Sequence, residues 1–360
     1  MAANYLDSPA MEPPPGEVQD LDNPPNKNDV VIAVYTVCIV IVSVFVALRI
    51  YAKFVFLKAP RIQDYLLIPT YGVFIAHCVF WIKMNDTTGN FVHTWNFRVR
   101  DLTPFYENGF YGLMFYSTVM MTIKPLILLE WIHLFASAGP RTAFNWTCYI
   151  LGAANILMYF IAIMIDATSC HPREYWWDRT IEGGHCIDTK KLPIATGTIN
   201  AIIDLFILLL PQGIIWRLNI NKQKRVGVSL VFAVGVISVG AAIVRTVLGY
   251  TYAESYDVAY NFSQAGVFCL VEMTAAILVF TAPTVPKPTT YLAKQTTTSL
   301  YRLIRSNRSG SFDGVRSAGA KDNVYHHIDE HGNELPLLKL RSAKSKASVG
   351  TGPKSAGSEV

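Results

Sequence analysis

The chain has 360 residues, 51% of them hydrophobic and only 16% charged, against about 25% charged in ordinary globular domains, which is the composition of a membrane protein. The net charge of +5 is scattered over short loops and a polar tail, with no aromatic and basic stripe of the kind that binds a nucleic-acid strand, so no nucleic-acid partner is expected. Six cysteines and no CxxC argue against a disulfide scaffold, a structural zinc site and a dithiol redox centre.

Residues 1–29 are rich in Pro, Asp and Glu and lack the basic and then apolar order of a cleavable signal, so they read as a disordered extracellular tail. The first apolar helix then acts as the insertion signal. Val30 to Leu48 carries no charge and is the first span; Arg49, Lys53, Lys58 and Arg61 follow it and place that loop in the cytosol by the positive-inside rule. Tyr65 to Ile82 is the second span, and Lys83 to Pro104 a polar loop. Phe105 to Phe135 holds a third span containing Lys124, Pro125 and Glu130, and Trp146 to Asp166 is the fourth.

Leu192 to Leu218 is the fifth span: about 20 apolar residues at roughly 1.5 Å each match a hydrocarbon core of about 30 Å. It carries Asp204 near its middle, with Asn200 one helical turn before it and Pro211 after it. A basic loop with Arg217, Lys222, Lys224 and Arg225 leads to the sixth span, Val226 to Tyr250, which contains Arg245. The seventh, Phe262 to Ala282, contains Glu272, and Pro283, Pro286 and Pro288 stop it. The residues from 290 to 360, rich in Ser, Lys and Gly, read as a disordered cytosolic tail.

The expected fold is therefore an all-α membrane protein, a seven-transmembrane-helix bundle over residues 30–289 with the amino terminus outside and the carboxyl terminus in the cytosol. The inner loops hold nine Lys and Arg, Arg49 included, in fewer residues than the outer loops use for seven. Trp81, Trp131, Trp146 and Trp216 fall near the expected membrane surfaces, as interfacial aromatics do. Of the glycosylation sequons, Asn85-Asp86-Thr87 lies farthest from a span end on the outside, which makes Asn85 the glycosylation candidate.

Four charges sit deep in spans: Lys124, Asp204, Arg245 and Glu272, with a formal sum of zero. From the topology, Asp204 and Glu272 lie near the midplane, with both cations within about 8 Å of them in depth. Ionisable groups at that depth cost about 2.5 kcal/mol or more unless they face a protein interior, a partner or water. With Asn200 they form an expected intramembrane polar network, either a ligand, ion or proton site or a structural clasp that fixes helix register. Cys170 and Cys186 are the two cysteines in outer segments and are the expected disulfide, worth about 3 kcal/mol in the chain-entropy model. The loop between them holds Trp176 and Trp177 and suits a ligand lid or a pinned interfacial loop; His171 and His185 beside the cysteines are a weak metal signal.

GxSxG, HExxH, P-loop and GxGxxG patterns are absent from the sequence, so no enzyme and no catalytic residue is expected. The seventh span has no lysine, which argues against a retinal Schiff base there, and no cofactor is expected.

Arg49 with Tyr51, Gln63-Asp64-Tyr65, Lys124 in TIKPLILLEWIHLF, Cys170 and Pro172 with Trp176 or Trp177 and Cys186, Asn200, Asp204 and Pro211, then Arg245, Glu272 and Pro283 form an ordered series. Over Val34 to Thr289 this series resembles the fungal rhodopsin-like domain of integral membrane proteins, a family typified by surface receptors related to appressorium signalling. The resemblance implies a receptor-like protein of the plasma membrane, and the first functional hypothesis is a receptor whose basic inner loops and tail contact a cytosolic signalling partner. Where the family usually has a double Asp, this sequence has Gln63-Asp64. The third span ends in Glu130-Trp131-Ile132-His133 instead of the Asp-Arg-Tyr of typical G-protein-coupled receptors. The competing functions are a proton-coupled permease using the intramembrane charges and a structural membrane organiser.

Overall fold

In the computed structural model, the described residues are 5–87, 89–135, 142–189, 191–215 and 222–284. The expected tail from residue 290 onward, and Arg217 in the basic loop, lie outside them. Seven helices among the described residues are long and apolar enough to cross a membrane. They are α1 (Asn28–Ile50), α2 (Ile62–Lys83), α3 (Val99–Phe135), α4 (Thr142–Thr168), α5 (Leu192–Ile215), α6 (Lys222–Glu254) and α7 (Val258–Thr281). Most begin or end a few residues beyond the apolar runs, because polar residues extend each helix past the hydrocarbon level. α6 gains the most, running from Lys222 to Glu254 instead of Val226 to Tyr250, and α3 starts at Val99 instead of Phe105, carrying Pro104 within its length.

α1 continues through a wider π-type turn, Tyr51–Phe56. α2 opens where the Arg61 backbone N–H donates to Asp64 Oδ2 at 3.0 Å, so a carboxylate satisfies one of the unpaired donors of the helix start.

α3 and α7 are the two most enclosed spans. α3 packs on α2, α4 and α7, while α7 packs on α1, α3 and α6. Ile123, Leu128, Met273, Ile277 and Phe280 fill the layer between these helices. The peripheral helices turn apolar side chains outward, among them Val40 and Val44 on α1, Leu157 and Phe160 on α4, and Phe206 and Leu209 on α5. On a soluble protein such a surface would drive aggregation, whereas in a bilayer it meets acyl chains.

Two expectations need correction. Trp81 and Trp131 are buried rather than interfacial. The Trp81 ring sits between α3 and α7 at two glycines: a Cβ on Gly266 would come within 1.9 Å of it, and one on Gly112 within 2.5 Å. Only residues without a side chain admit the indole there.

The described part of the amino-terminal tail is also not free. Ala10 N–H donates to Phe97 O at 2.8 Å and Val99 N–H to Ser8 O at 3.1 Å. Asp20 N–H donates to Asn96 Oδ1 at 3.1 Å, Gln19 Nε2 donates to Trp95 O, and Arg100 pairs with Asp7 at 2.6 Å. Composition alone reads disorder because the segment has little apolar surface to bury. Its partners are backbone and side-chain groups of the loop before α3 and of the start of α3, which no pattern within the segment itself reveals.

Candidate functional site: two charge clusters inside the bundle

Near the middle of the bundle the structure brings Lys124, Asn200, Asp204, Arg245 and Glu272 together. They come from α3, α5, α6 and α7. Lys124 Nζ lies 2.6 Å from Asp204 Oδ1 and 3.8 Å from Glu272 Oε1, and it donates to Asn200 Oδ1. Asn200 Nδ2 donates to Glu272 Oε1 at 2.6 Å. On the far side of the same carboxylate, Arg245 Nε lies 3.0 Å from Glu272 Oε2 and the Tyr116 hydroxyl donates to that oxygen at 3.0 Å. Tyr159 on α4 closes the cluster by donating to Asn200 Oδ1 at 2.6 Å.

Glu272, fully buried, is thus the hub: four helices contribute groups that bond or pair with it directly or through Asn200. Two acids face two bases, so the cluster adds no net charge to the low-dielectric interior, which is the condition under which such groups are tolerated. Tyr116 and Tyr159 carry no charge and were not singled out from sequence, because tyrosines are common in spans.

A second cluster lies where α1 ends and α2 begins, near the carboxyl-terminal ends of α3 and α7. Arg49 is fully buried and every nitrogen of its guanidinium is engaged. Nε and Nη2 meet Asp64 Oδ1 at 2.9 and 2.8 Å, and Nη2 meets Glu130 Oε2 at 2.9 Å. Nη1 donates to Phe280 O at 2.5 Å and Thr284 Oγ1 at 3.1 Å, and the guanidinium carbon sits 3.8 Å from the Phe280 ring centre. Lys53 adds a contact to Glu130 Oε1 at 3.6 Å. The sequence reading took Arg49 and Lys53 for loop cations. The signal available was Glu130, an acid near the end of a span that needs a cation. This cluster ties α1, α2, α3 and α7, and leaves α4, α5 and α6 out.

The side of the bundle that carries the amino terminus is closed by loops. Cys170 and Cys186 form the expected disulfide, within a two-residue strand pair, β1 (Cys170–His171) and β2 (His185–Cys186). The Arg173 guanidinium donates to Asp166 O and Ala167 O at 2.7 and 2.6 Å, capping the end of α4, and lies over the Phe110 ring at 4.2 Å. Trp176 and Trp177 rest on Phe110, at 4.9 and 5.6 Å between ring centres, which seats this loop on α3.

His171 and His185 face each other across the strand pair at 6.0 Å, and among the described residues no third ligand joins them in a metal-binding group. His93 stacks between Trp95 and Tyr260 and meets Asp257 Oδ2 at 2.6 Å, fastening the loop before α3 to the start of α7. Asn85 is half-buried: its Oδ1 accepts from Asn90 at 2.8 Å, and Nδ2, the atom that would carry a glycan, is shielded.

Residues 48–291 match the fungal rhodopsin domain. Over 368 aligned residues the chain is 33% identical to fugralins biosynthesis cluster protein 2 of Gibberella zeae, covering 96% of this chain and 88% of that one. It is 26% identical to a SAT4 family membrane protein of Emericella nidulans, over 64% of this chain and 55% of the relative. It is also 18% identical to Receptor GIN3 of Arthrobotrys oligospora, over 85% of this chain and 72% of the relative. No solved structure matches it. The ordered motifs, the seven membrane-length helices and this match agree, and the chain is a membrane protein of the fungal rhodopsin domain family.

Proposed function

We infer that the chain is a receptor-like protein of the plasma membrane, with its amino-terminal side outside and its basic loops in the cytosol. One observation carries this reading: Glu272 on α7 holds groups from α3, α5 and α6 in a single buried cluster, beneath loops fastened over the amino-terminal side. A cue that displaces any one partner at Glu272 changes what the other helices meet, which is the differential contact a two-state bundle requires. The second cluster holds α1, α2, α3 and α7 as a frame, so that α4, α5 and α6 are the helices it leaves to respond. The relative named as a receptor adds support. On this reading the chain binds and changes shape and makes or breaks no covalent bonds.

The partner would dock at the basic first turn of α6, where Lys222, Lys224 and Arg225 lie on the helix and not in the expected loop. Reversing the charges of Lys222, Lys224 and Arg225 should abolish co-purification of cytosolic proteins from cross-linked membranes and leave the amount at the cell surface unchanged. Undiminished co-purification would overturn the reading.

A second reading, a proton-coupled carrier, is favoured by the run of titratable groups from Lys124 through Asp204 to Glu272. The Gibberella zeae relative, named for a biosynthesis cluster, fits a role in handling a metabolite. Proteoliposomes in which Asp204→Asn removes a pH-driven uptake present in the unaltered protein would favour the carrier over the receptor.

A further inference from the structure

The two buried arginines are used differently. Arg49 spends all three nitrogens on four acceptors. Arg245 makes one hydrogen bond, from Nε to Glu272. A guanidinium carries five N–H donors, and among the described residues no acceptor receives a hydrogen bond from either Nη atom of Arg245.

Nor is that edge sealed by packing, since the side chain keeps 11% of its exposure. The guanidinium carbon lies 5.2 Å from the centre of the Tyr116 ring, a buried residue of α3, so the group points into the bundle and not into lipid. An unpaired donor fork at membrane depth is costly, and natural interiors keep one where something arrives to fill it.

We propose that the free edge of Arg245 is a binding site for a neutral, largely apolar molecule bearing a carbonyl oxygen, such as a ketone, lactone or amide. The charge balance selects a neutral ligand over an anion. Lys124 and Arg245 are already matched by Asp204 and Glu272, so a carboxylate would leave one uncompensated negative charge in the interior. A carbonyl oxygen accepts from the fork without adding charge, and an apolar remainder suits the hydrocarbon level at which the Tyr116 ring and Arg245 lie. This deepens the receptor-like reading by naming the chemistry of its cue. It is tested by binding, so that its failure is distinct from a failure of partner recruitment.

The experiment uses the full chain in lipid nanodiscs, titrated with δ-decalactone carrying a 13C carbonyl and, separately, with decanoate. The expected result is saturable lactone binding with the carbonyl stretch moved to lower frequency than in hydrocarbon, and weaker binding of decanoate. Arg245→Lys keeps a cation opposite Glu272 but lacks the Nη donors, and should weaken lactone binding by about tenfold or more, the loss of a hydrogen bond to a charged group. Val40→Ala, on the outward face of α1 and in neither cluster, should leave lactone affinity unchanged. Absence of saturable lactone binding, an unshifted carbonyl stretch in the unaltered protein, equal affinity in Arg245→Lys, or tighter binding of decanoate than of lactone would each overturn the proposal. The stretch is read in the unaltered protein, so the test stands even where the variant fails to fold.

Discussion

Replacing Glu272 by Gln removes the charge that Arg245 and Lys124 share while keeping the size of the side chain. The two cations are affected unequally. Lys124 retains Asp204 at 2.6 Å, whereas Arg245 loses its ion pair at 3.0 Å. Leaving one buried charge unpaired costs about 3–5 kcal/mol. Asp204→Asn is milder, because Lys124 keeps Glu272 at 3.8 Å and the Asn200 oxygen; the expected loss is about 1–3 kcal/mol. Removing both members of the pair, Glu272→Gln with Arg245→Gln, leaves no orphan charge, so its cost should fall short of the summed single costs by up to about 3 kcal/mol. Equilibrium unfolding of the unaltered protein, the single variants Glu272→Gln, Arg245→Gln and Asp204→Asn, and the double variant, in the same detergent and lipid mixture and followed by tryptophan fluorescence, gives the cycle and the comparison. Additive losses, or a smaller loss for Glu272→Gln than for Asp204→Asn, would refute the hub assignment.

Three further outcomes follow from named contacts. Arg49→Lys cannot reproduce the fork that spans Asp64, Glu130 and the Phe280 carbonyl, and should lower stability by about 2–4 kcal/mol in the same unfolding assay. Gly266→Ala should overpack the Trp81 ring and cost about 1–3 kcal/mol, with a change in the tryptophan emission of the folded state. Cys170→Ser should cost about 3 kcal/mol by releasing the loop it closes with Cys186, measured as a lowered unfolding midpoint that reductant reproduces in the unaltered protein.

The helices and the central charges were legible because an apolar run makes any charge within it conspicuous. Lys124, Asp204, Arg245 and Glu272 could be placed at similar depths by counting residues. Their pairing could not be read, because depth fixes one coordinate and helix packing the other two.

Arg49 and Lys53 were misread for a physical reason: a cation just past an apolar run is the expected mark of a cytosolic loop. Nothing local shows that Asp64 and Glu130 come from other helices to meet it. Taking these two cations out of the loop total also weakens the charge asymmetry behind the expected orientation. Trp81 failed in a similar way, since a tryptophan at a span end reads as interfacial unless the glycines facing it are known. The amino-terminal segment escaped notice because main-chain bonds and polar side chains of a distant loop hold it.

The orientation of the bundle underlies the receptor-like reading, and labelling of intact cells with a membrane-impermeant maleimide tests it most directly. Single reporter cysteines at Asp22, in the amino-terminal segment, and at Lys58, between α1 and α2, replace the native side chains. The account predicts that Asp22→Cys labels on intact cells and that Lys58→Cys labels only after permeabilisation. Labelling of both from the same side, or of Lys58→Cys alone on intact cells, would contradict it.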